Sequence, residues 1–276
     1  MSVRTAVTIS LVPQARSGPF VYHGDLAGSI AKAAGLGFDA VEIFPPGAEA
    51  IDVAAMKRMT GDAGMQVAAV GTGAGFVVHK LTLIDADDSV RGRAVEFAKG
   101  IIDVAGALGA PAIIGSMQGR HGDGEREAAL GRLAESLAVL GTHAKQYGMP
   151  LLYEPLNRYE TNVFNRQGEA AEWVRGRRIE NVKILCDLFH MNIEEVDVAA
   201  ALRTVGELLG HVHLVDSNRL AAGRGHIDFA PVVAALRDAD YRDYVSAECF
   251  PLPDSDAAAA ASIETYRKLF KNWNHA

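Results

Sequence analysis

Read from the amino terminus, the chain alternates between short β-branched apolar runs and longer stretches with helical spacing, eight times in all. The short runs are Ala6–Leu11, Ala40–Phe44, Val67–Val70, Ala112–Ile114, Leu151–Glu154, Val182–Asp187, His211–Leu214 and Tyr244–Glu248. They are nearly continuous in apolar residues, the pattern of strands covered on both faces. The stretches between them are amphipathic. In the clearest, Leu130, Leu133, Leu137 and Leu140 share one face while Glu125, Glu127, Arg132 and Glu135 lie elsewhere. Helices are expected to stop at glycines just ahead of a strand, as at Ala34-Gly35-Leu36-Gly37 and Tyr147-Gly148. Eight such β-then-α units predict a (β/α)8 TIM barrel. A doubly wound open sheet would want a phosphate loop after its first strand, and no G-x-G-x-x-G follows Leu11.

Composition narrows the picture. The 276 residues are 49% hydrophobic and 22% charged, ordinary for a globular chain, and no linker or low-complexity tract divides them. The alanine run Ala257–Ala261 opens the last helix, and residues 1–276 read as one domain. A net charge of -7 speaks against a nucleic-acid partner. The one basic cluster, Arg175, Arg177 and Arg178, reads as a solvated helix terminus. No stretch reaches the roughly 20 apolar residues of a membrane span. Cys186 and Cys249 read as buried reduced thiols, which points to the cytoplasm.

In a (β/α)8 barrel the active site forms at the C-terminal ends of the strands. The last four runs end in Leu152-Tyr153-Glu154-Pro155, Leu185-Cys186-Asp187, His211-Val212-His213 and Ser246-Ala247-Glu248. Four consecutive strands therefore each end in a side chain able to ligate a metal. Three carboxylates converging on one barrel mouth repel strongly unless a cation lies between them or some hold protons. One divalent ion held by Glu154, Asp187, His213 and Glu248 is the economical expectation. The oxygen-rich set favours Mn2+, with Mg2+ or Co2+ as alternatives, over a closed structural zinc site. His213, nearer the strand end, is taken as the ligand, and His211 is assigned to the other face of its strand in a packing role. Glu42 is expected either to reach the barrel interior behind the ligands or to be structural.

Four segments carry a family resemblance: Glu154-Pro155-Leu156-Asn157-Arg158-Tyr159-Glu160, Asp187 through Glu195, His211-Val212-His213 through Ser217-Asn218-Arg219, and Ala247-Glu248-Cys249-Phe250. With them the chain resembles the xylose-isomerase-like TIM barrels, and within them the ketose 3-epimerases of the D-tagatose 3-epimerase type. The resemblance is strongest from about residue 150 onward. It implies that Glu154 and Glu248 double as a catalytic acid–base pair, and that Glu160, His190 and Arg219 hold a small sugar substrate. The implied activity is isomerisation or epimerisation of a ketose or keto-sugar by proton transfer through a metal-bound enediolate.

Other features depart from those epimerases. The first loop, Leu11-Val12-Pro13-Gln14-Ala15-Arg16-Ser17-Gly18-Pro19-Phe20, is unlike their short aromatic opening, and Cys249-Phe250 follows Glu248 where they tend to show proline. The loop Gln118-Gly119-Arg120-His121-Gly122-Asp123-Gly124 is a candidate lid or specificity loop, with a plain mobile loop as the alternative. The alternative function is a lyase or deglycosidase acting on a 3-keto-glycoside, which a hydrophobic pocket near Pro19-Phe20 would favour. A repair endonuclease of the same barrel type would need more histidine ligands and a basic groove. A non-catalytic sugar-binding barrel would not need the acid–base pair. A homo-oligomer is compatible with the sequence.

Overall fold

The computed structural model describes residues 3–271 and 273 of the chain. Nine parallel strands form its sheet: β1 (Arg4–Ser10), β2 (Tyr22–His23), β3 (Ala40–Phe44), β4 (Gln66–Gly71), β5 (Ala112–Ile114), β6 (Leu151–Tyr153), β7 (Val182–Asp187), β8 (Leu209–His213) and β9 (Tyr244–Ala247). Their order is β2-β1-β3-β4-β5-β6-β7-β8-β9, and β1 also pairs with β9, so eight strands close into a (β/α)8 TIM barrel. The two-residue β2 lies outside the ring, paired with Ile9 and Ser10 of β1. No sequence pattern announced it, because two residues carry no period.

The strands match the apolar runs to within two residues at each end. The runs at Leu151–Glu154 and Tyr244–Glu248 stop one residue early in the barrel. At the first of these, Pro155 follows Glu154 and has no N–H to continue a ladder. Outer helices follow the strands, and several open on an aspartate whose carboxylate accepts a backbone N–H of the first turn: Asp25, Asp52, Asp197, Asp228 and Asp254. The helix Leu26–Leu36 ends at Gly37, whose φ of 82° lies in the left-handed region that glycine tolerates. The leucine stripe of residues 130, 133, 137 and 140 is buried on the helix Arg126–Lys145. Among the described residues, no helix is long and apolar enough to cross a membrane.

The pleat positions the site. Successive side chains of a strand point to opposite faces, so residues two apart share a face. Leu151 and Tyr153 belong to the main core between barrel and helices. Leu152 instead packs with Ala69, Ile113 and Leu185 in a separate cluster. Glu154, two residues after Leu152, and Asp187, two after Leu185, therefore continue that second face upward to the mouth. The same alternation puts Val212, Val245 and Ala247 in the outer core, and His211, His213, Ser246 and Glu248 on the inner side.

Helix Arg126–Lys145 approaches the barrel closely at Gly141, where a Cβ would stand 2.5 Å from the Glu180 carbonyl oxygen. Gly131 of the same helix has open space around it. Gly141→Ala is expected to destabilise by about 1–3 kcal/mol through overpacking against backbone. Gly131→Ala should stabilise by roughly 0.5–1 kcal/mol through chain entropy. Urea midpoints of the two variants check this; equal shifts would contradict the close approach.

Candidate active site

Ligating atoms of Glu154, Asp187, His213 and Glu248 all lie within 4.8 Å of one another, and all four residues are buried. His213 is the hub. Its Nδ1 stands 3.4 Å from Asp187 Oδ2, 3.6 Å from Glu154 Oε1 and 3.6 Å from Glu248 Oε2. Asp187 and His213 are register partners across β7 and β8, which explains their proximity directly. Asp187 is also tied down by its other oxygen: Oδ1 accepts the Phe189 N–H at 2.7 Å, capping the short helix Leu188–Glu194. One carboxylate thus ends a strand, starts a helix and faces the cluster.

Beneath His213 lies a second set of groups. Glu42, wholly buried on β3, meets His213 Nε2 at 3.0 Å through Oε1 and His211 Nε2 at 2.7 Å through Oε2. His211 therefore faces inward like His213, not toward the opposite side as expected from the sequence. The physical reason is the two-residue pleat, which puts positions 211 and 213 on one face. The Glu42 carboxylate can satisfy two imidazole N–H groups at once, and this leaves Nδ1 of His213 as the atom presented to the carboxylates. Burial alone would raise the pKa of Glu42, yet His213 and His211 hold it far below the usual range.

The residues assigned to substrate lie around the same cluster. His190 is fully buried; its Nδ1 accepts from the Asn157 side-chain amide at 2.8 Å and faces the Asn157 N–H at 3.3 Å. Among the described residues its Nε2 has no hydrogen-bond partner, and neither does Glu154 Oε1, 3.9 Å away. Two buried polar atoms left without partners beside three carboxylates fit a site built to receive something charged or polar. Burial pushes the His190 pKa down to about 4, so the ring is neutral and carries its proton on Nε2. Arg219 donates from Nη2 to Glu248 Oε2 at 2.7 Å and from Nη1 to Glu160 Oε1 at 3.4 Å. Its guanidinium also lies 4.8 Å above the Phe189 ring. Here Arg219 touches Glu248 itself, a contact the sequence did not suggest.

Several positioning groups carried no assigned role in the sequence reading. Asn157 holds both His190 and Glu160, the latter at 3.1 Å. It stood within the Glu154–Glu160 segment of the resemblance without a role of its own. Gln118 is buried, donates to the Glu154 carbonyl at 2.9 Å and accepts the Tyr153 hydroxyl at 2.6 Å. The loop 118–124 is bonded to its neighbour at Gly119 and His121. The Gly119 carbonyl accepts from Thr161, and His121 exchanges hydrogen bonds with Asn162. None of its residues lines the active-site cavity. Asp216 gathers the N–H groups of Ser217, Gly223 and Ile227, folding the loop that presents Arg219 at a φ of 59°.

A cavity of about 290 Å3 opens over the cluster and is lined by Glu154, Glu160, His190, Arg219 and Glu248 among others. Burial pushes Glu154 well above the usual carboxylate range, and Glu248 and Asp187 add to the rise against the pull of His213. Burial likewise pushes Glu248 up to about 7. Asp187 is held low despite its burial, by His190, His213 and Arg219. For His213 burial acts to lower the pKa, but Glu42 and Glu248 raise it well above the ordinary value. The cluster thus retains protons at neutral pH, and a bound cation would take their place.

Residues 30–269 match the model of the xylose isomerase-like TIM barrel family, and the chain belongs to that family. It is 29% identical over 253 residues to an L-ribulose 3-epimerase of Mesorhizobium japonicum, covering 90% of this chain and 83% of that one. It is 37% identical over 123 residues to the 3-dehydro-D-guloside 4-epimerase of Escherichia coli, which spans 45% of each. Among solved structures, an L-ribulose 3-epimerase superposes with a TM-score of 0.83 at 24% identity, over 99% of this chain and 96% of that one. These named relatives are isomerase-class enzymes acting on sugars.

The protonated cluster and the Glu42 contact beneath it can each be tested. Folded Glu248 keeps its proton to about pH 7, against an ordinary value of 4.5, so the metal-free protein loses this contribution to stability as pH rises between those values. A divalent ion, which replaces the proton, is expected to raise Tm more at pH 8 than at pH 6 and to release protons on binding. Scanning calorimetry with and without Mn2+, plus titration in two buffers of different ionisation heat, checks this; equal Tm gains would contradict it. Glu42→Gln removes one of the two acceptors and should weaken Co2+ binding roughly 10–100-fold while shifting the bound ion's visible absorption. An unchanged spectrum and affinity would show that Glu42 does not orient His213.

Proposed function

We propose that this protein is a metal-dependent epimerase that inverts a carbon next to the carbonyl of a keto-sugar. Glu154, Asp187, His213 and Glu248 hold one divalent ion, Mn2+ by preference for an oxygen-rich donor set. The observation that supports this function most directly is the meeting of Glu154 and Glu248. They leave β6 and β9, three places apart in the ring, yet both line one cavity and reach within 4.8 Å of each other. A divalent ion bound there supplies Lewis acidity, polarising a keto oxygen and acidifying the neighbouring C–H.

The side chains divide the remaining work. Glu154 and Glu248 approach the reacting carbon from different sectors of the barrel, so one removes a proton from one face and the other returns one to the opposite face. Each is a carboxylate facing the cavity and so is able to take up or return a proton there. His190, neutral and holding its proton on Nε2, donates to a substrate oxygen. Arg219 places a permanent positive charge beside Glu248, where negative charge develops on the enediolate. Glu160, more exposed at the rim, accepts from a substrate hydroxyl. The names of the relatives, an L-ribulose 3-epimerase and a 3-dehydro-D-guloside 4-epimerase, support inversion beside a carbonyl as the reaction class. The two buried free thiols suit the cytoplasm as its location.

The test uses Mn2+-loaded protein in heavy water with keto-sugar substrates. Wild-type turnover is expected to leave deuterium at the inverted carbon. Glu154→Gln and Glu248→Gln should each slow epimerisation by about 10²–10⁴-fold, and one of them should still exchange the substrate's proton with solvent. Near-normal turnover in both variants, or product without deuterium, would rule out the two-base mechanism.

A further inference from the structure

Asn157 stands between two of the groups assigned to substrate, and its amide reaches both. It lies in the loop after β6 and is 2% exposed. Its Oδ1 accepts the Tyr159 N–H at 2.9 Å, a bond that only the oxygen end can make, so the backbone fixes which way the amide faces. The NH2 end therefore points to His190 Nδ1 at 2.8 Å and to Glu160 Oε1 at 3.1 Å. The Asn157 backbone N–H faces the same Nδ1 at 3.3 Å. Both hydrogens of the amide are thus spent, one on an imidazole and one on a carboxylate.

The His190 ring needs that decision made for it. It is wholly buried, with carboxylates on both sides. Its Nε2 is 3.8 Å from Asp187 Oδ2 and 3.9 Å from Glu154 Oε1, while Nδ1 is 3.9 Å from Glu160 Oε1. Each carboxylate attracts an N–H, and at such similar distances charge alone does not choose between the two tautomers of a neutral ring. A nitrogen that accepts from two N–H groups cannot itself carry a proton. Donation from Asn157 empties Nδ1 and leaves the proton on Nε2, the side of Glu154 and Asp187. The second amide hydrogen keeps Glu160 Oε1 an acceptor.

We infer that Asn157 is the positioning residue that sets the polarity of the substrate site, making His190 a donor and Glu160 an acceptor. The inference rests on the epimerase reading above, in which His190 meets an oxygen that gains negative charge and Glu160 meets a hydroxyl. A keto oxygen has no hydrogen to give and needs the donor; a hydroxyl brings its own hydrogen to the acceptor. With the polarity reversed, a bare Nε2 would face the enediolate oxygen lone pair to lone pair. Asn157 is not among the residues lining the cavity, so it acts through the two side chains it holds.

Asn157→Asp tests this, because one oxygen can still accept from Tyr159 while the other accepts where the amide donated. The 15N spectrum of the histidine-labelled, Mg2+-loaded full chain reads which ring nitrogen holds the proton; the His190 signals are those missing from His190→Gln. Wild type is expected to show Nε2–H, and Asn157→Asp to show Nδ1–H. With L-ribulose or another keto-sugar, Asn157→Asp should lower kcat by about 10²-fold, the scale of one lost donor to an oxyanion, with a smaller change in KM. In the His190→Gln background the same substitution should cost less than about threefold, since the route through His190 is already gone. If Asn157→Asp does not fold, Asn157→Ala takes its place: it removes the side-chain donor and should let Nδ1–H appear. A wild type carrying Nδ1–H, a folded variant with an unchanged Nε2–H spectrum, or an equal kinetic cost with and without His190 would overturn the inference. The spectra need no turnover. A wild type that epimerises no keto-sugar would therefore remove the epimerase reading, while the ring proton still shows whether Asn157 sets it.

Discussion

Three carboxylates buried within a few ångströms of each other are the constraint around which the upper half of this barrel is arranged. Like charges at that distance and depth cannot all stand ionised without compensation. The protein supplies part of it through Arg219, which bridges Glu248 and Glu160, and through His213, which faces all three carboxylates. The rest is left to protons or to a cation. That shortfall is what makes the site receptive. A cluster neutralised completely from within would have no use for an ion, and a cluster with no internal cations would be hard to fold.

Holding such a cluster requires that each member be fixed by something other than its neighbours in the cluster. Asp187 is pinned as a helix cap, and His213 is pinned from below by Glu42. The chain at Glu154 is held by Gln118 through its carbonyl and by the Ile114 carbonyl through its N–H. Arg219 sits on a loop whose N–H groups converge on Asp216. These supports come from β3, from the loop after β5 and from the loop after β8. The whole ring therefore cooperates in placing groups carried by only four strands.

Much of the fold was legible locally. Alternation with period two and with helical spacing is a property of near neighbours in the chain, and eight repeats of it leave few closed arrangements other than a barrel. The four clustered residues were legible for a related reason. A hydrophilic side chain directly after an apolar run marks the top of a strand, and Glu154, Asp187, His213 and Glu248 all stand there. Tyr22–His23 escaped notice because it is too short to show a period, and the contacts that tie down one end of loop 118–124 were equally out of reach. Its bonds to Thr161 and Asn162 join residues about 40 positions apart.

By itself, then, the sequence determined the number and kind of elements and which chemical groups end the last four strands, since both depend on local pattern. Only the tertiary structure decided how those groups are held and what faces them. Glu42 and the two histidines it binds are separated by about 170 residues, and no local rule pairs them. Closing the ring brings β3 beside β1 and β1 beside β9, which carries Glu42 beneath His213. The same closure sets Phe20 and Phe44 across the cavity from Glu154 and Glu248. Residues from all round the ring become one site because a closed barrel makes every strand end a neighbour of the same central space.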